Sequence, residues 1–169
     1  MSWPGSVLMQ PRVEAEIAFR LGSDLPGPDV GMREARSAVE EVFLALEVID
    51  TRFDSWRITV ADSIADNASC ARVVTGPMVA LGAGLDLPAE PLEVSVDGVT
   101  VAVGPGRAVL GDPLRALVWL AGRLHRTGGR LRAGELVLAG AVHAAFPLEA
   151  GTTVRARSTH LPPVELHVR

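Results

Sequence analysis

The chain contains no lysine and no tyrosine, and all sixteen basic side chains among its 169 residues are arginine. Schiff-base chemistry and any lysine general acid or base are thereby excluded from what this chain does by itself. A single cysteine, Cys70, rules out an internal disulfide framework and fits a reducing cytosol, so a cytoplasmic location is expected. With no base evident nearby, Cys70 reads as a buried structural thiol rather than a nucleophile. No apolar run approaches the roughly 18 residues of a membrane span. Met1-Ser2-Trp3-Pro4-Gly5 lacks the basic region and apolar core of a secretory signal. Aromatic residues make up only 4% of the chain, and the net charge is −4 with no basic cluster, so neither nucleic acid nor membrane is expected as a partner. Gly104-Pro105-Gly106-Arg107 lacks the lysine and the spacing of a phosphate loop. His125, His160 and His167 have no i,i+4 or His-x-His partner for a zinc site. No internal repeat or low-complexity tract appears. The length predicts one domain over residues 1–169, enough to bury on the order of 70% of the unfolded surface.

What is present centres on Val13-Glu14-Ala15-Glu16-Ile17-Ala18-Phe19-Arg20-Leu21. Strand side chains alternate, so Val13, Ala15, Ile17, Phe19 and Leu21 point one way and Glu14 and Glu16 the other, about 7 Å apart along the backbone. Paired carboxylates at that spacing suit Mg²⁺ or Mn²⁺, which take one to three carboxylates and keep positions open for an oxygen-rich ligand. The plainer alternative is a half-buried strand with a solvated acidic face. Glu47 adds weight to the metal reading because it interrupts the apolar run from Leu44 to Ile49. An isolated carboxylate in a buried strand costs several kcal/mol unless it is paired or bound to metal. For Glu47 the plain alternative is an edge position paired with an arginine.

The remaining pattern is strand-rich. Asp24-Leu25-Pro26-Gly27-Pro28 breaks the chain, and Met32, Ala35, Val39, Val42, Phe43 and Leu46 recur at helical spacing, predicting a helix from about Gly31 to Phe43. Arg57-Ile58-Thr59-Val60 reads as a short strand. Leu92–Val96 and Val99–Val103 flank Asp97-Gly98, a type I′ hairpin signal. Asp112 caps a second helix with Pro113 at its first position, and Gly128-Gly129 ends it. Leu114, Leu117, Val118, Leu120, Ala121 and Leu124 form the apolar stripe of that helix, and Trp119 reads as packing. Short strands follow at Glu135–Ala139, Thr153–Arg157 and Val164–Val168. Asp66, Asn67 and Ser69 are small polar residues with ordinary uses as caps and turns.

Three ordered groups of residues carry a resemblance. Gln10-Pro11-Arg12-Val13-Glu14-Ala15-Glu16-Ile17-Ala18-Phe19, Ala45-Leu46-Glu47-Val48-Ile49-Asp50 and Asp62-Ser63-Ile64-Ala65-Asp66-Asn67-Ala68-Ser69-Cys70 closely resemble the 2-hydroxypenta-2,4-dienoate (2-keto-4-pentenoate) hydratases of the fumarylacetoacetate hydrolase superfamily. Leu110-Gly111-Asp112-Pro113-Leu114, Val118-Trp119-Leu120-Ala121 and Leu138-Ala139-Gly140-Ala141 follow in the order of that family's C-terminal half. The resemblance implies an α+β, mostly β fold: a mixed β-roll or sandwich with two main helices. It implies Glu14, Glu16 and Glu47 as ligands of Mg²⁺ or Mn²⁺. It also implies a pocket wall in which Asp66 or Ser69 holds substrate or a water on the metal, with Asn67 and Ala141 contacting substrate. The expected activity is that of a lyase in aromatic-compound catabolism, hydrating 2-hydroxypenta-2,4-dienoate to 4-hydroxy-2-oxopentanoate or acting on a related small 2-oxo acid. A 4-oxalocrotonate-type decarboxylase is the alternative, and a non-catalytic subunit with the same fold is a third reading. The family's additional N-terminal segment, with the lysine thought to serve in proton transfer, is not represented in these residues. His143, next to the Gly140-Ala141 segment, is the candidate to replace it in acid–base work, and the plainer alternative is an ordinary surface or pocket histidine. Apolar surface left where that segment would pack predicts a homo-oligomer, or a separate partner chain.

Overall fold

The computed structural model describes residues 2–3, 8–82 and 84–169. Its strands are β1 (Ser2–Trp3), β2 (Arg12–Leu21), β3 (Val39–Ile49), β4 (Cys70–Thr75), β5 (Val79–Ala80), β6 (Pro91–Val96), β7 (Val99–Pro105), β8 (Leu136–Ala141), β9 (Phe146–Pro147), β10 (Thr153–Ser158) and β11 (Val164–Val168). The helices are α1 (Met32–Ala38), α2 (Val60–Ala65) and α3 (Leu114–His125). One sheet runs β1-β11-β10-β6-β7, and the other runs β4-β3-β2-β8 with β5 added to β3 and β9 to β2. The mixed, mostly β class expected from the sequence is the one observed, with a third short helix, α2, beside the two expected.

The strand pattern explains how the sheets stack. Val13, Ala15, Ile17, Phe19 and Leu21 of β2 are all fully buried, and with Val42, Leu44, Leu46 and Val48 of β3 they face Leu92, Val94, Val154, Ala156 and Leu166 of the other sheet. α1 contributes Ala35 and Ala38 to the same core, and α3 contributes Leu114, Leu117 and Ala121. On the opposite face of β2 and β3, Ala18, Phe43 and Ala45 are also fully buried, covered by Met78 and Leu138. This second, smaller apolar layer adjoins the acidic residues.

Three local expectations are corrected. The first helix stops at Ala38, not Phe43, and Val39 begins a strand that pairs with β2 along its length. A strand buried on both faces loses its alternation, and its apolar residues then also satisfy a helical spacing. Arg57–Val60 is not a strand. Thr59 instead caps α2, its hydroxyl accepting the Asp62 N–H at 3.2 Å while the Asp62 carboxylate accepts the Thr59 N–H at 2.8 Å. Trp119 is 65% exposed, because α3 buries Leu114, Leu117 and Ala121, and a residue two places from Leu117 lies on the far side of a helix.

The hairpin and the second helix follow expectation. Asp97 and Gly98 both have positive φ, as a type I′ turn requires. The Asp112 carboxylate accepts the Leu114 N–H at 2.9 Å. The Gly104–Gly106 stretch, which is not a phosphate loop, is a packing device. A Cβ on Gly106 would stand 2.0 Å from the Leu87 carbonyl oxygen and 3.2 Å from Cδ1 of Ile17. Gly106→Ala must push backbone apart in the core and is expected to cost about 1–3 kcal/mol, read as a lower urea midpoint at unchanged m-value. A midpoint equal to wild type would show that the sheets give way freely there.

Candidate metal centre

The β2–β3 register places Glu14 directly opposite Glu47 and Glu16 opposite Ala45. Side chains opposite one another in an antiparallel pair stand about 5 Å apart at Cβ. One carboxylate oxygen from each of Glu14, Glu16 and Glu47 therefore comes within 4.8 Å of the other two. Glu16 is only 2% exposed, and Glu14 and Glu47 are half-buried. None of the three forms an ion pair with a cationic side chain among the described residues. Like charges held this close in a sheet are destabilising unless a proton or a cation neutralises them.

The consequence is seen in the proton affinities. Burial, and then the charge of Glu47, pushes the Glu14 carboxyl above its ordinary value. Burial pushes Glu16 up to about 8, with Glu47 and Glu14 adding to the rise and the Gly140 N–H opposing it. That N–H donates to Oε2 of Glu16 at 2.7 Å. Gly140 has φ +118°, a backbone conformation that side chains rarely adopt, so its position favours glycine. The Cys70 thiol lies against Glu47, and burial together with that contact raises it to about 11, which keeps it protonated at neutral pH. An all-oxygen set of three carboxylates, oriented by a backbone N–H and a thiol, fits a hard divalent cation.

The fumarylacetoacetate (FAA) hydrolase C-terminal family profile matches residues 1–169. The chain belongs to that family. It is 41% identical over 144 residues to a 2-hydroxyhexa-2,4-dienoate hydratase of Comamonas testosteroni, an alignment covering 85% of this chain and 54% of the relative. It is 45% identical over 139 residues to a 2-keto-4-pentenoate hydratase of Paraburkholderia xenovorans, covering 82% of this chain and 52% of the relative. Its structure matches 4-oxalocrotonate decarboxylase from Pseudomonas putida G7 complexed with magnesium and adipate, with a TM-score of 0.95, 31% identity, and 99% of this chain against 64% of the other. The chain spans about half the length of the curated relatives it matches. No helix among the described residues is long and apolar enough to cross a membrane.

Within this family fold the other expected site residues are distributed unevenly. Asp66 is bound by Arg52, which pairs with its carboxylate through Nε and donates to its carbonyl oxygen through a terminal nitrogen at 2.8 Å. Asn67 is exposed and donates to the Cys70 carbonyl oxygen at 3.2 Å. Asn67, Ala68 and Ser69 have φ of 55°, 53° and 63°, three successive left-handed residues. Strain of this kind persists only where surrounding structure enforces it, and it clusters at functional sites. The turn buries Ser69 to 3% exposure, and its hydroxyl has no hydrogen-bond partner among the described residues. Ala141 pairs with Glu16 across β2 and β8. His143 fills the gap between β8 and β9, where its Nε2 accepts the Ala15 N–H at 3.2 Å and its Nδ1 lies 2.9 Å from its neighbour's carbonyl, Ala144 O. An apolar cavity of about 280 Å³ among Leu8, Pro11, Val48, Val74, Leu148 and Leu166 has no carboxylate in its wall. Gly140 and the contact between Cys70 and Glu47 were not anticipated as features of the site. The only sequence signal for either was adjacency, Gly140 to Ala141 and Cys70 to Ser69.

A pH dependence follows from Glu16. It holds its proton to about pH 8 in the folded chain but only to its ordinary value of 4.5 when exposed. The folded state thus binds more protons than the unfolded one between those values, so this stabilisation is full below about 4.5 and is lost as pH rises through about 8. Metal-free protein should be less stable toward urea at pH 8 than at pH 5, and Glu16→Gln should flatten that difference. An identical pH profile in the variant would mean that Glu16 does not carry the extra proton.

Proposed function

We propose that this chain is the metal-binding catalytic part of a lyase acting on a small 2-oxo acid or its dienol. The favoured reaction is the hydration of 2-hydroxypenta-2,4-dienoate to 4-hydroxy-2-oxopentanoate or of a close analogue. The observation that carries the reading is the cluster of Glu14, Glu16 and Glu47, three mutually close carboxylates with no cationic partner among the described residues. One hydratase relative is named for a 2-hydroxydienoate and the other for a 2-keto-4-pentenoate, the keto form of such a dienol, which supports the substrate assignment. Mg²⁺ or Mn²⁺ would be held by Glu14, Glu16 and Glu47, and when bound it would supply Lewis-acid stabilisation of charge developing on the substrate's 2-oxygen.

The chain's own residues have narrower tasks. Gly140 aims Glu16, and the Cys70 thiol steadies Glu47. Converting the dienol to the hydroxy-oxo acid adds water across C4 and C5, with the hydroxyl on C4 and a proton on C5, while the C2 enol hydroxyl loses its proton and C3 gains one, leaving a ketone at C2. With no lysine in the chain, the buried Ser69 hydroxyl is the group we assign to hold the substrate or its attacking water, with Asn67 and Ala141 on the pocket wall. Asp66 acts through Arg52 to set the turn that carries Ser69. Both ring nitrogens of His143 are engaged in backbone contacts, so it is assigned to positioning β2 rather than to proton transfer. Decarboxylation needs the electron sink but no added water, and it is the second reading because of the structural match to the decarboxylase. α2 buries no residue and exposes Val60 and Ile64 at 78% and 73%, which supports a further copy of the chain packing there. Light scattering at tens of micromolar should give a symmetric oligomer, and a monomer would remove that inference.

Calorimetric titration should find one Mg²⁺ or Mn²⁺ per wild-type chain, with Mn²⁺ the tighter. Glu47→Gln should weaken it at least about tenfold, the loss expected on removing one oxygen ligand of a hard cation. Metal-dependent proton–deuterium exchange at C3 of 2-oxopentanoate, followed by NMR, should need Glu16 and survive His143→Ala. Dienoate hydration should run about 10²- to 10⁴-fold below a site with a dedicated general acid–base group. Equal, negligible metal affinity in wild type and Glu47→Gln would end the metal-lyase reading.

A further inference from the structure

Arg12 opens β2, and strand alternation puts it on the same face as Glu14 and Glu16, about 7 Å from Glu14 along the backbone. Opposite it in register is Ile49, which shares a face with Glu47 on β3. Arg12 is half-buried, yet its guanidinium makes no ion pair or hydrogen bond among the described residues. Other arginines are committed: Arg20, at the far end of β2, to Glu40 and Glu41, and Arg52 to Asp66. What holds Arg12 is the Trp56 ring, whose centroid lies 4.7 Å from its Cζ. Such stacking occupies the face of the guanidinium and leaves its N–H edges free.

The stacking partner is itself fixed. The Trp56 indole N–H donates to the Gln10 carbonyl oxygen at 3.0 Å, and the Gln10 side-chain amide donates to the Phe53 carbonyl oxygen at 2.9 Å. The buried Asp50 carboxylate accepts the Gln10 N–H at 2.7 Å and the Met9 N–H at 2.8 Å, which ties the same segment to the end of β3. The loop after β3 therefore presents a rigid aromatic plane to one cation beside the carboxylate cluster. An electrostatic need matches this placement. Three ionised carboxylates exceed the charge of one divalent ion, so an anionic substrate arriving there meets net repulsion unless a further cation stands at the rim.

We propose that Arg12 is the anion-recognition residue of the site: its guanidinium edge receives the carboxylate of the bound 2-oxo acid while Trp56 holds it in place. The proposal rests on reading the site as one for a small 2-oxo acid. It makes Arg12 a binding residue that selects for the acid over uncharged carbonyl compounds of the same length.

The test measures binding. Metal affinity, and the affinities for 2-oxopentanoate and its neutral methyl ester in Mn²⁺, are determined by calorimetry for wild type, Arg12→Gln and Arg12→Lys. Arg12→Gln should weaken 2-oxopentanoate about 10- to 100-fold, the range expected for a charge-assisted pair, and leave the ester and the metal unchanged. Arg12→Lys keeps the charge without the fork and should fall between the two. Unchanged acid affinity in Arg12→Gln overturns the assignment, as does an equal loss for acid and ester, or wild type that does not bind the acid. Were wild type to bind no metal, the metal reading alone would fail. The same acid comparison without metal would then decide Arg12, with a loss in Arg12→Gln supporting it and equal or absent binding overturning it.

Discussion

The structure turns on one register, the antiparallel pairing of β2 with β3 that sets Glu14 against Glu47. The same pairing sends Val13, Ala15, Ile17, Phe19 and Leu21 into the core together with Val42, Leu44, Leu46 and Val48. A slip of one residue would turn the glutamates of β2 into the apolar layer and its core residues outward. The apolar energy of the core therefore enforces an acidic cluster that would not assemble by itself. Burial that stabilises one face is used to hold an unfavourable arrangement on the other.

The surroundings of that cluster reduce its cost without neutralising it. Gly140 donates one N–H to Glu16, and the Cys70 thiol lies against Glu47, but no described cation pairs with any of the three acids. Of the arginines nearby, Arg52 is paired with Asp66 and Arg12 is stacked on Trp56. A surface face of glutamates would pair with such arginines or stand in water, whereas Glu16 is 2% exposed. That burial is not the behaviour of a solvated acidic strand. The Ser69 hydroxyl, buried on a turn of three left-handed residues, likewise has no hydrogen-bond partner among the described residues.

Misreadings of the sequence share a physical origin. β3 is buried on both faces, so Val39, Val42, Phe43 and Leu46 fit a helical period as readily as a strand. Ile58-Thr59-Val60 has strand propensity, but the reciprocal bonds between Thr59 and Asp62 start a helix there. That capping signal was present in the sequence as a threonine three places before an aspartate. Trp119 lies on α3 at a position where period alone points outward, and its size suggested packing that the neighbouring elements do not supply. The Nε2 of His143, in the gap between β8 and β9, accepts the Ala15 N–H, a contact that no local pattern encodes.

Local pattern determined a good deal: the two-residue spacing of Glu14 and Glu16, the misfit of Glu47 in an apolar run, the Asp97-Gly98 turn and the cap at Asp112 are each written in neighbouring residues. Propensity and side-chain period act over a few positions, so sequence is sufficient for them. Which acids meet was decided by tertiary structure, because Glu47 reaches Glu14 only through strand register and Gly140 reaches Glu16 only through β8. The same holds for Arg12 and Trp56, forty-four positions apart in sequence and in contact only because β3 ends beside the start of β2. Distances of this kind are set by how sheets close on a shared core, and no local signal encodes them.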